Sequence, residues 1–258
     1  NRAQRLVVAK DKDVFYRSLN KSLREESILI QSATLSPDSI EVIIAQNRFR
    51  SLPRAVGRTA RIVSALSPKA VSKIRVIPMN GDIELYAIEV SRENFDRLDD
   101  DKISSVELYN KSETLSVEPY GYLRSDFKPT VKFPELFLSM SPSLRHQIGG
   151  PEAFYLGQLW WKINAKVKFT RGLTLHTVLG LNIYNNFSEF ANPSYSSIPH
   201  VRSDIQDYLS EGDSNIARLK LDYMWSPMKD VYARLDIGYL EEMFGGIGGE
   251  VYYRPFKS

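Results

Sequence analysis

The chain contains no cysteine, which excludes thiol catalysis, cysteine-ligated zinc and disulfide staples. A cysteine-free chain suits passage through an oxidising compartment. Only three histidines occur, His146, His176 and His200. They form no HExxH pattern and no close pair, so no catalytic zinc site is expected. There is no GxSxG elbow and no P-loop pattern. The run from Gly245 to Gly249 fails the GxGxxG spacing because position 251 is valine. No cofactor is expected. No window approaches 18 consecutive apolar residues, so no membrane-spanning helix is present. The opening "NRAQRLVVAKDKD" lacks the apolar stretch of a signal peptide. Net charge is only +3, so nothing global calls for nucleic acid or anionic lipid.

What the chain does have is an ordinary globular composition, 43% hydrophobic and 25% charged over 258 residues, enough for two domains. Its two halves follow different periodicities. Residues 1–117 alternate helical and strand patterns. Phe15, Leu19 and Leu23 recur every four positions, as on one helix face. "SILIQSATL" and "SPDSIEVIIAQ" read as strands around a Ser-Pro-Asp-Ser turn. Pro53 opens a helix with Val56, Ala60, Val63 and Leu66 on its apolar side. "VSKIRVIP" and "DIELYAIEV" follow, with Asn80-Gly81 predicting a tight hairpin in which both residues tolerate positive φ. "RENFDRL" predicts a closing helix. The spacing predicts an α+β module with one helix–strand–strand unit used twice, at a period of roughly 40 residues. Residues 118–130, rich in proline, glycine and charge, read as a linker.

From 131 to 258 the period becomes two. In "QLWWKINAKVKF", Leu159, Trp161, Ile163, Ala165, Val167 and Phe169 share one face; Lys162, Asn164, Lys166 and Lys168 share the other. In "LTLHTVLGLNIY", leucines and Ile183 oppose His176, Gly180 and Asn182. Leu219, Leu221, Tyr223 and Trp225 oppose Arg218, Lys220 and Asp222. Val231, Ala233, Leu235, Ile237 and Tyr239 oppose Arg234 and Asp236. Two architectures satisfy this alternation: a soluble sandwich with apolar faces inward, or an outer-membrane barrel with apolar faces to lipid and polar faces to a wet lumen. Three features favour the barrel. The strands run about nine to eleven residues, the length that spans a membrane. Short connections (170–172, 226–230) alternate with a long one (184–215). Trp160, Trp161, Tyr184, Tyr223, Trp225, Tyr239 and Tyr253 sit near strand ends, where aromatic girdles form.

A lysine or arginine facing lipid costs about 2–4 kcal/mol at mid-membrane. In a barrel, Lys162, Lys166, Lys168, Arg218, Lys220, Arg234 and Arg254 therefore face inward, against Asp222, Asp236 and Glu250. His176, Asn182 and Tyr252 complete the candidate lumen. About six strands are countable, with 131–140 the least regular. Bacterial barrels begin at about eight strands, so the barrel is expected to be incomplete within this chain, which would then be part of a longer protein.

"PSLRHQIGGPEAFYLGQLWW", "IPHVRSDIQDYLSEG" and "VYARLDIGYLEEMFGGIGGEVYYRPF" resemble the YjbH/GfcD family of exopolysaccharide outer-membrane proteins. "IIAQNRFRSLPRAVGRTARIVSALSP" and "IEVSRENF" resemble its periplasmic segment. The resemblance implies a Gram-negative outer-membrane location with the first part in the periplasm. It also implies a role in capsule or exopolysaccharide assembly or export. The expected partners are the secreted polymer, outer-membrane lipid and other proteins of the system. It carries no catalytic residues.

Two further sets of residues are singled out. Asp236, Glu242 and Glu250 share a face if strands 231–240 and 247–256 pair, which leaves open a lyase or hydrolase; salt bridges with Arg234 and Arg254 are the plainer expectation. Arg54, Arg58 and Arg61, at i, i+4 and i+7, form a basic stripe that a solvated helix face or an anionic partner would explain. It lacks the interleaved aromatics of a nucleic-acid site, and no nucleic acid is expected.

Overall fold

A computed structural model describes residues 12–99, 102–148, 155–187, 211–241 and 244–255. They form two compact units. The first holds residues up to 131 together with 225–233 and the segment from 251; the second holds 132–224 and 234–250.

The first unit is built on a mixed sheet. Helix α1 (Lys12–Glu25) places Phe15, Leu19 and Leu23 fully buried along one face. Burying each such side chain contributes roughly 1.5–3 kcal/mol. β1 (Ile28–Leu35) and β2 (Ser39–Gln46) form an antiparallel hairpin, closed where Ser36 N donates to Ser39 O at 2.9 Å. α2 (Leu52–Leu66) crosses to β3 (Lys73–Asn80), which lies parallel to β2. β4 (Ile83–Glu84) and β5 (Ala87–Ser91) both pair antiparallel with β3, followed by α3 (Arg92–Asp99), α4 (Ser105–Asn110) and β6 (Glu113–Leu115). The sheet order is β1-β2-β3-β5-β6, with β4 on β3. Ile40, Val42 and Ile44 face the helices, while Ile43, Ile77, Met79 and Ala87 pack with Val117 in a second cluster. The two-residue period of the strands thus supplies a core on each side.

Two details differ from the sequence reading. Asn80 pairs with Ile83 as the last residue of β3, so the connection is Gly81-Asp82. Gly81 takes the positive φ, 62°, and Asn80 stays in the strand. Residues 118–130 pack on the first unit. A 3₁₀ turn over Gly121–Arg124 presents two amides to the buried Glu84, with Tyr122 N at 2.8 Å and Gly121 N at 3.1 Å. Phe127 exchanges backbone hydrogen bonds with Ala33 and stacks on Tyr16, ring centroids 4.9 Å apart. Arg92, nearly buried, satisfies the end of α2, donating to Ser64 O at 2.8 Å and Ser67 O at 3.3 Å, and also to Pro68 O. A cation there also matches the negative end of the helix dipole.

The other sheet is a meander in the order β12-β11-β10-β9-β8-β7. Its strands are β7 (Glu135–Ile148), β8 (Tyr155–Lys168), β9 (Leu173–Asn185), β10 (Asn215–Met228), β11 (Val231–Glu241) and β12 (Phe244–Tyr253). They run 10–14 residues, longer than read from sequence. β7 is fully paired with β8, Glu135 opposite Lys168 through Ile148 opposite Tyr155. Pro142 interrupts its pattern, on a strand that is an edge among the described residues, where proline is accommodated. Among the described residues this sheet is open, with β7 and β12 as its edges and no barrel closed. No helix there is long and apolar enough to cross a membrane, which says nothing of strands.

Candidate functional site

Register sorts the second sheet into an apolar and a polar face. On the apolar face, Met140, Ile163, Leu179 and Ile216 form one cross-strand row, and Leu138, Ala165, Thr177 and Leu219 the next. On the polar face the rows are Glu135–Lys168–Thr174–Asp222, Phe137–Lys166–His176–Lys220, Ser139–Asn164–Val178–Arg218 and Ser141–Lys162–Gly180–Asn215. A bulge between Ile216 and Arg218 keeps β10 in phase on both sides of it.

Burial is inverted relative to a soluble sheet. Leu136 is 66% exposed, Leu144 66% and Ile247 78%, all on the apolar side. Gln158, Trp160, Thr174 and Asp222, on the polar side, are buried. Among the described residues, both buried apolar clusters lie in the first unit.

The polar face has a closed part and an open part. The closed part centres on Asp222. Lys220 Nζ lies 2.7 Å and Arg234 3.2 Å from its Oδ1, and His176 Nε2 lies 3.2 Å from its Oδ2. Arg234 also reaches Asp236 Oδ1 at 3.1 Å, so one guanidinium joins two carboxylates across β10 and β11. Gly248 on β12 lets the chain approach Asp236, since a Cβ there would sit 2.8 Å from Asp236 Oδ2. A second polar knot ties Asn182. Its side chain accepts from Gln158 Nε2 at 3.1 Å and donates to Asp213 Oδ2 at 3.0 Å. Lys168 lies 4.0 Å from Glu135 and over the Phe137 ring.

The open part comprises Lys162, Lys166 and Arg218, which form no salt bridge among the described residues. On the β8 side of β9, Lys162 lies opposite Gly180 and Lys166 opposite His176; on the β10 side, Arg218 lies opposite Val178. Trp160 packs against Gly180, where a Cβ would come within 2.1 Å of the indole. Arg145 in turn stacks on that indole at 4.5 Å.

Of the residues named from sequence, Lys162, Lys166, Lys168, His176, Asn182, Arg218, Lys220, Arg234 and Asp236 gather on the polar face of the second unit. Glu250 is exposed on the edge strand of the same unit. Tyr252 and Arg254 belong to the first compact unit. There Tyr252 stacks with Tyr232 at 6.3 Å and Arg254 N donates to Asp230 O at 2.9 Å. Glu242 and His200 lie outside the described residues. Trp160, counted among the girdle aromatics, is 6% exposed and on the polar side, while Trp161 beside it faces outward. Glu135 and Arg145 were missed: both sit on β7, where the serines and Pro142 hide the alternation. Arg54, Arg58 and Arg61 are exposed on α2; Arg58 pairs with Glu26 and lies 5.3 Å over the Phe49 ring.

An open antiparallel sheet with an exposed apolar face and a basic polar face, in one chain with an α+β unit, defines the class of protein at hand. The YjbH family, described as "Exopolysaccharide biosynthesis protein YbjH", matches residues 2–258, and the chain belongs to that family. An Escherichia coli (strain K12) relative, described as "Uncharacterized lipoprotein YjbH", is 36% identical over 122 residues, which is 46% of this chain and 17% of the relative. The chain therefore spans about a sixth of that relative's length. No solved structure matches it.

Proposed function

We propose that the six-stranded sheet is a segment of an outer-membrane β-barrel, and that its basic polar face meets exopolysaccharide during assembly or export, without catalysing a reaction on it. The observation that carries this reading is the inverted burial: apolar side chains outward, charged and amide side chains inward. Lipid is the solvent in which that arrangement is favourable. In water the same face would be an aggregation hazard, and a sandwich would need a second sheet over it. Further strands from the rest of a longer protein complete the barrel in this reading. The first unit lies in the periplasm. An envelope location agrees with a relative described as a lipoprotein.

The polymer-facing residues are Lys162, Lys166 and Arg218, which form no salt bridge among the described residues. The partners are the secreted polysaccharide, outer-membrane lipid and other proteins of the export system. A lyase or hydrolase is disfavoured because Asp236 is occupied by Arg234. The test is charge reversal, Lys162→Glu, Lys166→Glu and Arg218→Glu together, in the intact protein. Secreted polysaccharide is expected to fall towards the level of a gene deletion while membrane insertion is retained. Undiminished secretion sinks the polymer contact. Release of the wild-type protein from membranes without detergent sinks the barrel, and shortening of the polymer by purified protein sinks the non-catalytic reading.

A further inference from the structure

Between two successive rows of the polar face lies a cavity of about 330 Å³, a volume within the range of small-molecule sites. Phe137, Lys166 and His176 line it from one row, Ser139, Asn164 and Arg218 from the next. Val178 lines it between Asn164 and Arg218. Three kinds of surface meet there. Phe137 is 47% exposed even with Lys168 Nζ 5.5 Å from its ring centroid, so with Val178 it supplies an apolar patch. Asn164 Nδ2 donates to Ser139 Oγ at only 3.4 Å, which leaves an amide and a hydroxyl to exchange hydrogen bonds with a guest. Lys166 and Arg218 supply charge and form no salt bridge among the described residues. No carboxylate is among the described residues that line the cavity. Asp222, which reaches His176, is shared with Lys220 and Arg234.

We infer that this cavity is a subsite for one uronic acid unit of a polysaccharide. The inference rests on the polar face being polymer-facing and adds the kind of sugar it takes. A uronic acid has an apolar face of C–H groups, hydroxyls around its ring and one carboxylate, and the three surfaces match these in turn. The C–H face seats on Phe137 and Val178. Ring hydroxyls exchange hydrogen bonds with Asn164 and Ser139. Arg218 takes the carboxylate, its planar fork fitting the two oxygens, and Lys166 adds a point charge. A neutral sugar would leave both cations unmatched, and a small inorganic anion would leave the ring and the amide unused.

The test uses the intact protein in detergent micelles and two end-labelled tetrasaccharides with one backbone. These are cellotetraose and cellouronate, the same chain with its primary alcohols oxidised to carboxylates. Fluorescence anisotropy is expected to show cellouronate binding at least about tenfold tighter, with the gap narrowing as salt rises. Arg218→Gln abolishes that preference and leaves cellotetraose binding unchanged; Arg218 is exposed, so membrane insertion is retained. Arg218→Lys restores only part of the preference, because the charge returns without the fork. Phe137→Ala weakens both oligomers alike. Equal binding of the two oligomers overturns the proposal, as does an undiminished preference in Arg218→Gln or unchanged binding in Phe137→Ala. Tighter binding of phosphorylated cellotetraose than of cellouronate overturns it as well. Equal binding together with lost secretion in the Lys162→Glu, Lys166→Glu, Arg218→Glu protein removes the uronate subsite alone. Undiminished secretion in that protein removes the polymer-facing reading and the subsite with it.

Discussion

Replacing Met140 by lysine asks what solvent the apolar face of the second sheet meets. Met140 is 53% exposed and lies in the row Met140–Ile163–Leu179–Ile216, which crosses the middle of β9. If that face meets lipid, a lysine near mid-membrane costs about 2–4 kcal/mol. At 1.4 kcal/mol per tenfold, the folding equilibrium shifts by roughly 30- to 700-fold. If the face meets water, a half-exposed methionine exchanged for lysine changes stability by about 0.5 kcal/mol or less. Ser139→Lys is the control: it lies one residue away at nearly the same depth, on the polar face beside Asn164, and costs little in either case. Reversible urea unfolding of the intact protein in lipid vesicles, followed by tryptophan fluorescence, reads both variants. A Met140→Lys loss within about 0.5 kcal/mol of wild type refutes the lipid-facing assignment. So does a Ser139→Lys loss equal to that of Met140→Lys.

Asp222→Asn removes the carboxylate shared by Lys220, Arg234 and His176. The expected loss in the same assay is about 2–3 kcal/mol, less than for a fully buried pair because Arg234 and His176 are each about a third exposed. Adding Arg234→Gln recovers part of it; a neutral Asp222→Asn contradicts the structural role. In the first unit, burial pushes the Glu84 carboxyl above its ordinary value of 4.5, and the amides of Tyr122 and Gly121 pull it partly back. The folded state then holds the Glu84 proton more tightly than the unfolded state. Its contribution to stability is greatest in acid and declines as pH rises from 4.5 through the raised folded value. Glu84→Gln flattens that decline, read as amide exchange at Gly121 and Tyr122 across the same range. An unchanged pH slope assigns the dependence to another group.

Much of this was legible because burial in each half follows a fixed period. Phe15, Leu19 and Leu23 announced the α1 face, and Lys162, Lys166 and Lys168 announced one side of β8. The signal failed where a residue served geometry instead of burial. Pro142 broke the alternation of β7 and hid Glu135 and Arg145. Asn80-Gly81 suggested two positive φ values, whereas the register ended β3 at Asn80 and moved the turn on by one residue. Trp160 and Trp161 read alike as girdle aromatics, yet adjacent strand residues must point apart. The pleat puts the Trp160 indole on the polar side, where the missing side chain of Gly180 leaves it room.

Pairing across strands was beyond the reach of composition, and it changes what the basic face means. Counting charges gave seven cations against three anions, a net-positive lining. Register divides them. Lys220, Arg234 and His176 spend their interactions on Asp222, and Arg234 spends another on Asp236, binding β9, β10 and β11 together. Lys162, Lys166 and Arg218 form no salt bridge among the described residues and flank β9 from β8 and β10. A cation held by a nearby carboxylate offers little to a passing anion, because its field is already matched. Substitutions at Asp222 should therefore register as stability, and substitutions at the open trio as polymer contact. A single charge-reversal series along β8 and β10 separates the two.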